Sequence, residues 1–188
     1  MRTLKDSIKD CIEDYMNESR LDEADLGADP ALDEIYQFLE ENYNFAVRRG
    51  TQFEKFIKVT KKGNKYVLDS SESLYVEFSA PSLTNGLFEW GEVKGDFSCS
   101  DCKKLRTLEG APKKVGGDFY CSSCRNLYTL EGAPEYVLRS FDCSNCSSLK
   151  SLVGAPKKVG RNFYCKHCDK LQRLDGLGYV GGDLISDL

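Results

Sequence analysis

The chain holds a single histidine, His167, and a single tryptophan, Trp90. With one histidine, a Cys–His catalytic pair could engage just one of the nine cysteines, and no third group stands out to orient it. No stretch approaches the ~20 apolar residues of a membrane span. The opening residues, Met1-Arg2-Thr3-Leu4-Lys5-Asp6, lack the apolar core of a secretory signal, so the protein is expected to be cytoplasmic. No glycine loop is built to cradle phosphate, because Gly116-Gly117 and Gly181-Gly182 belong to a repeated turn. There is no basic excess either. The net charge of −4 argues against a protein built mainly to hold nucleic acid. Residues 1–50 carry 6 Lys/Arg and 13 Asp/Glu, whereas residues 81–188 carry 15 and 13.

What is present is enough for a core. The 188 residues are 40% hydrophobic and 11% aromatic, which fits one domain, or one with a small appendage. Nine cysteines are many, and an odd number cannot form a complete disulfide framework within one chain. In a reducing compartment they are expected as thiols or metal ligands.

The second half repeats. Cys99, Cys121, Cys143 and Cys165 are spaced by 22 residues, and so are Cys102, Cys124, Cys146 and Cys168. Val115-Gly-Gly-Asp-Phe119-Tyr-Cys121 has counterparts beginning at Val93, Val137 and Val159. Paired leucines follow each second cysteine (Leu105/Leu108, Leu127/Leu130, Leu149/Leu152, Leu171/Leu174), and Gly-Ala-Pro begins at Gly110, Gly132 and Gly154. The spacing predicts a coil that closes once per repeat and stacks on its predecessor. Alternation places Phe119 and Cys121 inside and Tyr120 outside. The glycine of Gly-Ala-Pro is expected at positive φ, with the proline stiffening the return path.

The run Val115-Gly-Gly-Asp-Phe119-Tyr-Cys121-Ser-Ser-Cys124-Arg-Asn-Leu127-Tyr-Thr-Leu130 resembles the short cysteine variant of the leucine-rich repeat. The resemblance covers about residues 83–188, and a cysteine at the Cys121 position departs from the usual leucine. The wording FxCSxC…LEGAPxxVGG is similar to repeat proteins common in bacteriophage genomes. The family places partner contacts on the concave strand face. The fold class expected is α+β, with N-terminal helices and a small β cap followed by a parallel-strand leucine-rich-repeat solenoid.

Two roles compete for the cysteines. Cys99/Cys102/Cys121/Cys124 falls within the spacing of a four-thiolate zinc site, giving a zinc-stabilised scaffold. The favoured alternative makes both cysteines small buried hydrophobes or ladder residues. Zinc knuckles carry a glycine after the second cysteine, whereas Lys103, Arg125, Ser147 and Asp169 stand here. Two sites would also have to break the equivalence of four repeats. No metal or cofactor is therefore expected.

Residues 1–28 read as a helical leader, with Leu4, Ile8 and Ile12 on one face, followed by an acidic linker. Residues 29–92 read as a mixed α/β cap. Asp29-Pro30 starts a helix running to about Tyr43, and strands follow at Phe53–Thr60, Lys65–Leu68 and Leu74–Phe78. The repeats occupy 93–188, about five coils. Their last strand leaves an open edge, where self-association, a partner's cover or a tolerated polar end (Ser186, Asp187) is expected.

The outward positions predict the partner site: Ser98, Asp118, Tyr120, Asp142, Tyr164, Lys166 and His167. Tyrosine among small polar groups suits protein recognition, so a non-catalytic protein-binding module is the leading expectation. The rival is a nucleic-acid binder using Tyr120, Tyr164, Arg161 and Lys166, against which Asp96, Asp118 and Asp142 on the same face argue. Lys113-Lys114 and Lys157-Lys158, with Glu135-Tyr136 between, read as a solvated charge ladder in one loop position.

Overall fold

The computed structural model describes residues 30–44, 57–77 and 79–188. The helical leader, the linker, Cys11 and the Asp29 cap expected from the sequence lie outside the described residues. So does the start of the strand expected from Phe53.

Within them one helix occurs, α1 (Pro30–Asn42), which begins on proline. Leu32, Ile35 and Leu39 recur at helical spacing and are buried. The chain then enters β1 (Tyr43–Asn44). A hairpin, β2 (Ile57–Lys62) and β3 (Lys65–Ser70), turns at Gly63, whose φ is +62°. After it come β4 (Leu74–Val76) and β5 (Phe88–Val93).

From here each repeat contributes two short strands. One series is β6 (Phe97–Ser98), β8 (Phe119–Tyr120), β10 (Phe141–Asp142), β12 (Phe163–Cys165) and β14 (Leu184–Ser186). The other is β7 (Lys114–Val115), β9 (Tyr136–Val137), β11 (Lys158–Val159) and β13 (Tyr179–Val180). They form two seven-stranded sheets, ordered β1-β4-β6-β8-β10-β12-β14 and β2-β3-β5-β7-β9-β11-β13. The repeats pair in parallel throughout, while β1–β4 and β2–β3 are antiparallel. The result is a parallel-strand β-solenoid of about 5 turns with a period of about 22 residues. The lysine segment read as a loop from sequence is thus the start of a second sheet.

The core is one continuous cluster from Leu32 to Leu171. Inward residues of the first sheet fall in register as Leu74, Phe97, Phe119, Phe141, Phe163 and Leu184. The four phenylalanine rings stack, with centroids 5.4, 5.1 and 5.1 Å apart. The second sheet contributes Val93, Val115, Val137 and Val159, all buried. Near the N-terminal end the Trp90 indole donates to the Tyr43 hydroxyl at 2.8 Å, which donates to the Leu83 carbonyl at 2.7 Å. That chain satisfies two buried polar groups and ties β1 to β5. Burial pushes the Tyr43 phenol far above its ordinary pKa.

Two corners make each coil close. At one, Gly110, Gly132, Gly154 and Gly176 take φ of +86° to +95°, as expected. A β-carbon on Gly132 would lie 2.4 Å from the Glu109 backbone nitrogen, so glycine is required by both conformation and space. At the other, Asp101, Ser123, Asn145 and His167 take φ of 57° to 61°. Asn, Asp and His tolerate the left-handed region best, which explains the residues found there. Serine is the least suited of the four. Ser123→Val is expected to lower the unfolding free energy by about 1–2 kcal/mol, and Ser123→Gly to leave it unchanged or slightly raised. Urea titration of both variants checks this; equal losses would remove the conformational explanation.

Candidate functional site

The thiols form a structural ladder through the core. The second cysteine of each pair donates to the carbonyl of the first cysteine one coil back. Cys124 reaches Cys99 at 3.0 Å, Cys146 reaches Cys121 at 3.2 Å, and Cys168 reaches Cys143 at 3.3 Å. Cys102, at the start, donates to the Glu77 carbonyl at 3.4 Å. Strand geometry cannot supply these carbonyls with an N–H partner at the corner, so the thiol satisfies them. All eight described cysteines are free and buried. Among the described residues, no group of three or more His, Cys, Asp or Glu is arranged to hold a metal ion.

Burial and neighbouring sulfurs push the Cys121, Cys143 and Cys146 thiols up. Burial also raises Cys165, to about 11. Cys99, Cys102 and Cys124 act as one cluster. Hydrogen bonds within the cluster, then burial, raise Cys99 and Cys102.

The outer side of the first sheet carries the residues singled out from sequence. Register aligns Tyr75, Ser98, Tyr120, Asp142, Tyr164 and Ile185 across six strands. Tyrosine therefore recurs on alternate rungs, about 9–10 Å apart at the usual strand spacing. Tyr75 was not among the expected residues. It lies outside the repeat wording, and only its pairing with Ser98 places it in the row. Its side chain is 40% exposed.

The Tyr164 phenol is held. Asn162 Nδ2 donates to the Tyr164 hydroxyl at 2.9 Å. Tyr120 stands beside Asp118, and its pKa is raised by desolvation and by the carboxylates of Asp118, Asp96 and Asp142. Asp118 also accepts the Ser140 backbone N–H at 2.7 Å, as Asp96 accepts that of Asp118 at 2.8 Å. Asn162 accepts that of Asp183 at 3.0 Å. Asp118 thus joins two coils next to Tyr120. Asp142 accepts the Ser144 N–H at 2.8 Å, and the Ser100 and Ser122 hydroxyls are 3.0 Å apart. Ser98 stands between Tyr75 and Tyr120, and Lys166 is exposed just past β12. His167 occupies the left-handed corner, where its backbone N–H and Nδ1 face the Asp187 carboxylate at 2.5 and 3.6 Å. Arg161 follows β11 of the second sheet, in the backbone row of Arg139, rather than the row of Tyr120 and Tyr164.

On the second sheet the lysine–glutamate ladder forms. Lys157 pairs with Glu135 at 2.9 Å, and Glu89 takes Lys113 at 2.7 Å and Lys65 at 3.4 Å. Their lysines hold the Glu89 and Glu135 carboxyls below the ordinary value. All are exposed, so their worth to stability is small.

Among the described residues no helix is long and apolar enough to cross a membrane. Comparison with protein-family models, with curated proteins and with solved structures finds no match for this chain.

Proposed function

We propose that the protein is a non-catalytic protein-interaction module that binds its partner on the outer side of the first sheet. The observation that carries this is the row Tyr75–Ser98–Tyr120–Asp142–Tyr164, with the Tyr164 phenol fixed by Asn162 and Tyr120 standing beside Asp118. A tyrosine held in place before binding loses little rotamer freedom on contact, and the stacked coils give a rigid support. The acidic residues among them, Asp96, Asp118 and Asp142, favour a partner surface that is basic at its rim. A regular solenoid suits such a role, since successive rungs present a long surface without requiring a pocket. The resemblance of the repeat wording to leucine-rich repeats of bacteriophages supports a finer reading: a phage-encoded inhibitor or adaptor docking on a host protein.

Affinity capture from lysate of the host cell tests this, comparing wild type with the Tyr120→Ala/Tyr164→Ala double variant. A protein retained by the wild type is expected to be lost or reduced at least tenfold with the variant, as for two truncated hot spots of about 1–2 kcal/mol. An unchanged catch would remove the first sheet from the binding site.

A further inference from the structure

The second sheet presents a different chemistry on its outer side. Glu92, Lys114, Tyr136, Lys158 and Tyr179 align across five strands. Tyr136 and Tyr179 are 45% and 64% exposed, and Lys158 Nζ lies 5.8 Å from the Tyr179 ring centroid. Just past the strand ends a second row runs beside it, in which Leu138, 69% exposed, stands on the rung between Gly116 and Gly160. Next to that, Arg139 and Arg161 occupy adjacent rungs, joined by an Arg161 N–H to Arg139 carbonyl bond of 2.9 Å. Both are exposed.

Two like charges facing each other on neighbouring strands repel and weaken the pairing. Glu92 and Glu135 stand beside Lys114, Glu135 pairs with Lys157 and Glu89 with Lys113 and Lys65, while none of Lys114, Arg139, Lys158 or Arg161 forms a salt bridge within the described residues. The face therefore carries two lysines and two exposed rings on its strands, and two arginines without a salt bridge follow at the corner where β9 and β11 end. An anion between the guanidinium rungs would relieve the repulsion, and phosphate fits that fork geometry.

We propose that this outer face of the second sheet, with the corner beside it, binds single-stranded nucleic acid. Arg139 and Arg161, with Lys114 and Lys158, contact successive phosphates. Tyr136 and Tyr179 stack on bases, and Leu138 packs against a sugar or base edge. An acidic protein would meet the same cations, but it would gain nothing specific from two flat rings two rungs apart. Stacking of that kind tolerates any base, so little sequence preference is expected. This site is separate from the first-sheet row, and its test does not depend on that reading.

The experiment is fluorescence anisotropy of the full chain with a labelled oligothymidylate of about 20 nucleotides and a matching RNA, at about 50 mM salt and above. Wild type is expected to bind, with affinity falling as salt rises. Arg139→Ala/Arg161→Ala should flatten the log–log salt slope by about 1.4, from ~0.7 per phosphate contact on a single strand. Tyr136→Ala and Tyr179→Ala should each weaken binding roughly tenfold with the slope unchanged. Tyr120→Ala/Tyr164→Ala should have no effect. Circular dichroism and urea midpoints confirm that the surface variants fold. Failure to bind at about 100 μM protein in low salt overturns the proposal. So does binding that ignores the tyrosine variants, or that polyglutamate of matched charge competes for equally, which would mark an acidic-protein dock.

Discussion

Phe119→Ala is expected to lower the unfolding free energy by about 3–5 kcal/mol, a large share of the ~5–15 kcal/mol typical of a native domain. The ring is fully buried, with a stacked ring on each side, 5.4 Å away at Phe97 and 5.1 Å away at Phe141. Truncation removes both contacts and opens a cavity that the backbone cannot close. Its floor and ceiling are strands fixed by hydrogen bonds, such as Phe119 N–H to the Ser140 carbonyl at 2.8 Å. Leu184 sits at the end of the same column but is 37% exposed. Leu184→Ala should therefore cost less than about 2 kcal/mol, below the range for a fully buried leucine. Guanidinium titration of the two variants measures the difference. Equal losses would mean that the column is not the stabilising unit.

Alkali is expected to unfold the protein within about two pH units above the thiol pKa. The sign follows from proton counts. An unfolded thiol ionises near 8.5, whereas in the fold Cys121, Cys143 and Cys146 are pushed higher, burial being the first cause. Above that pH the unfolded chain holds fewer protons than the fold, so stability falls as pH rises. Below it the contribution is fully present. Each thiol is worth about 1.4 kcal/mol per pH unit, and three give about 4 kcal/mol per unit, enough to exhaust an ordinary domain's stability by about pH 10–11. Tyr43, raised by burial, adds in the same direction above its own unfolded value near 10. Urea titrations in reductant from pH 7 to about 10.5 read the slope directly. Zinc thiolates would do the reverse, being lost on acidification and to chelators. A stability flat across the alkaline range, or one that collapses with chelator near neutral pH, would remove the ladder account.

The amino-acid order alone settled the period, the inward Phe and Cys, and the positive φ at Gly110, Gly132 and Gly154. Each of these is written in residues a few positions apart, and every repeat restates it. It also placed α1, because Leu32, Ile35 and Leu39 carry helical spacing within one short segment. Only the stacked coils decided the rest. Two-residue strands such as Lys114–Val115 have no propensity signal of their own and exist because a neighbour 22 residues away offers its hydrogen bonds. The thiol–carbonyl ladder, the Asp118 bond to Ser140, and Tyr75 joining the tyrosine row are contacts between coils. The left-handed turn at Ser123 closes a coil against the next one through Ser144. Separating Arg161 from Tyr164 required the same register, since three residues of chain cross a corner between the two sheets. Sequence spacing measures distance along a coil. Which side chains share a face depends on where that coil turns and on what lies above and below it.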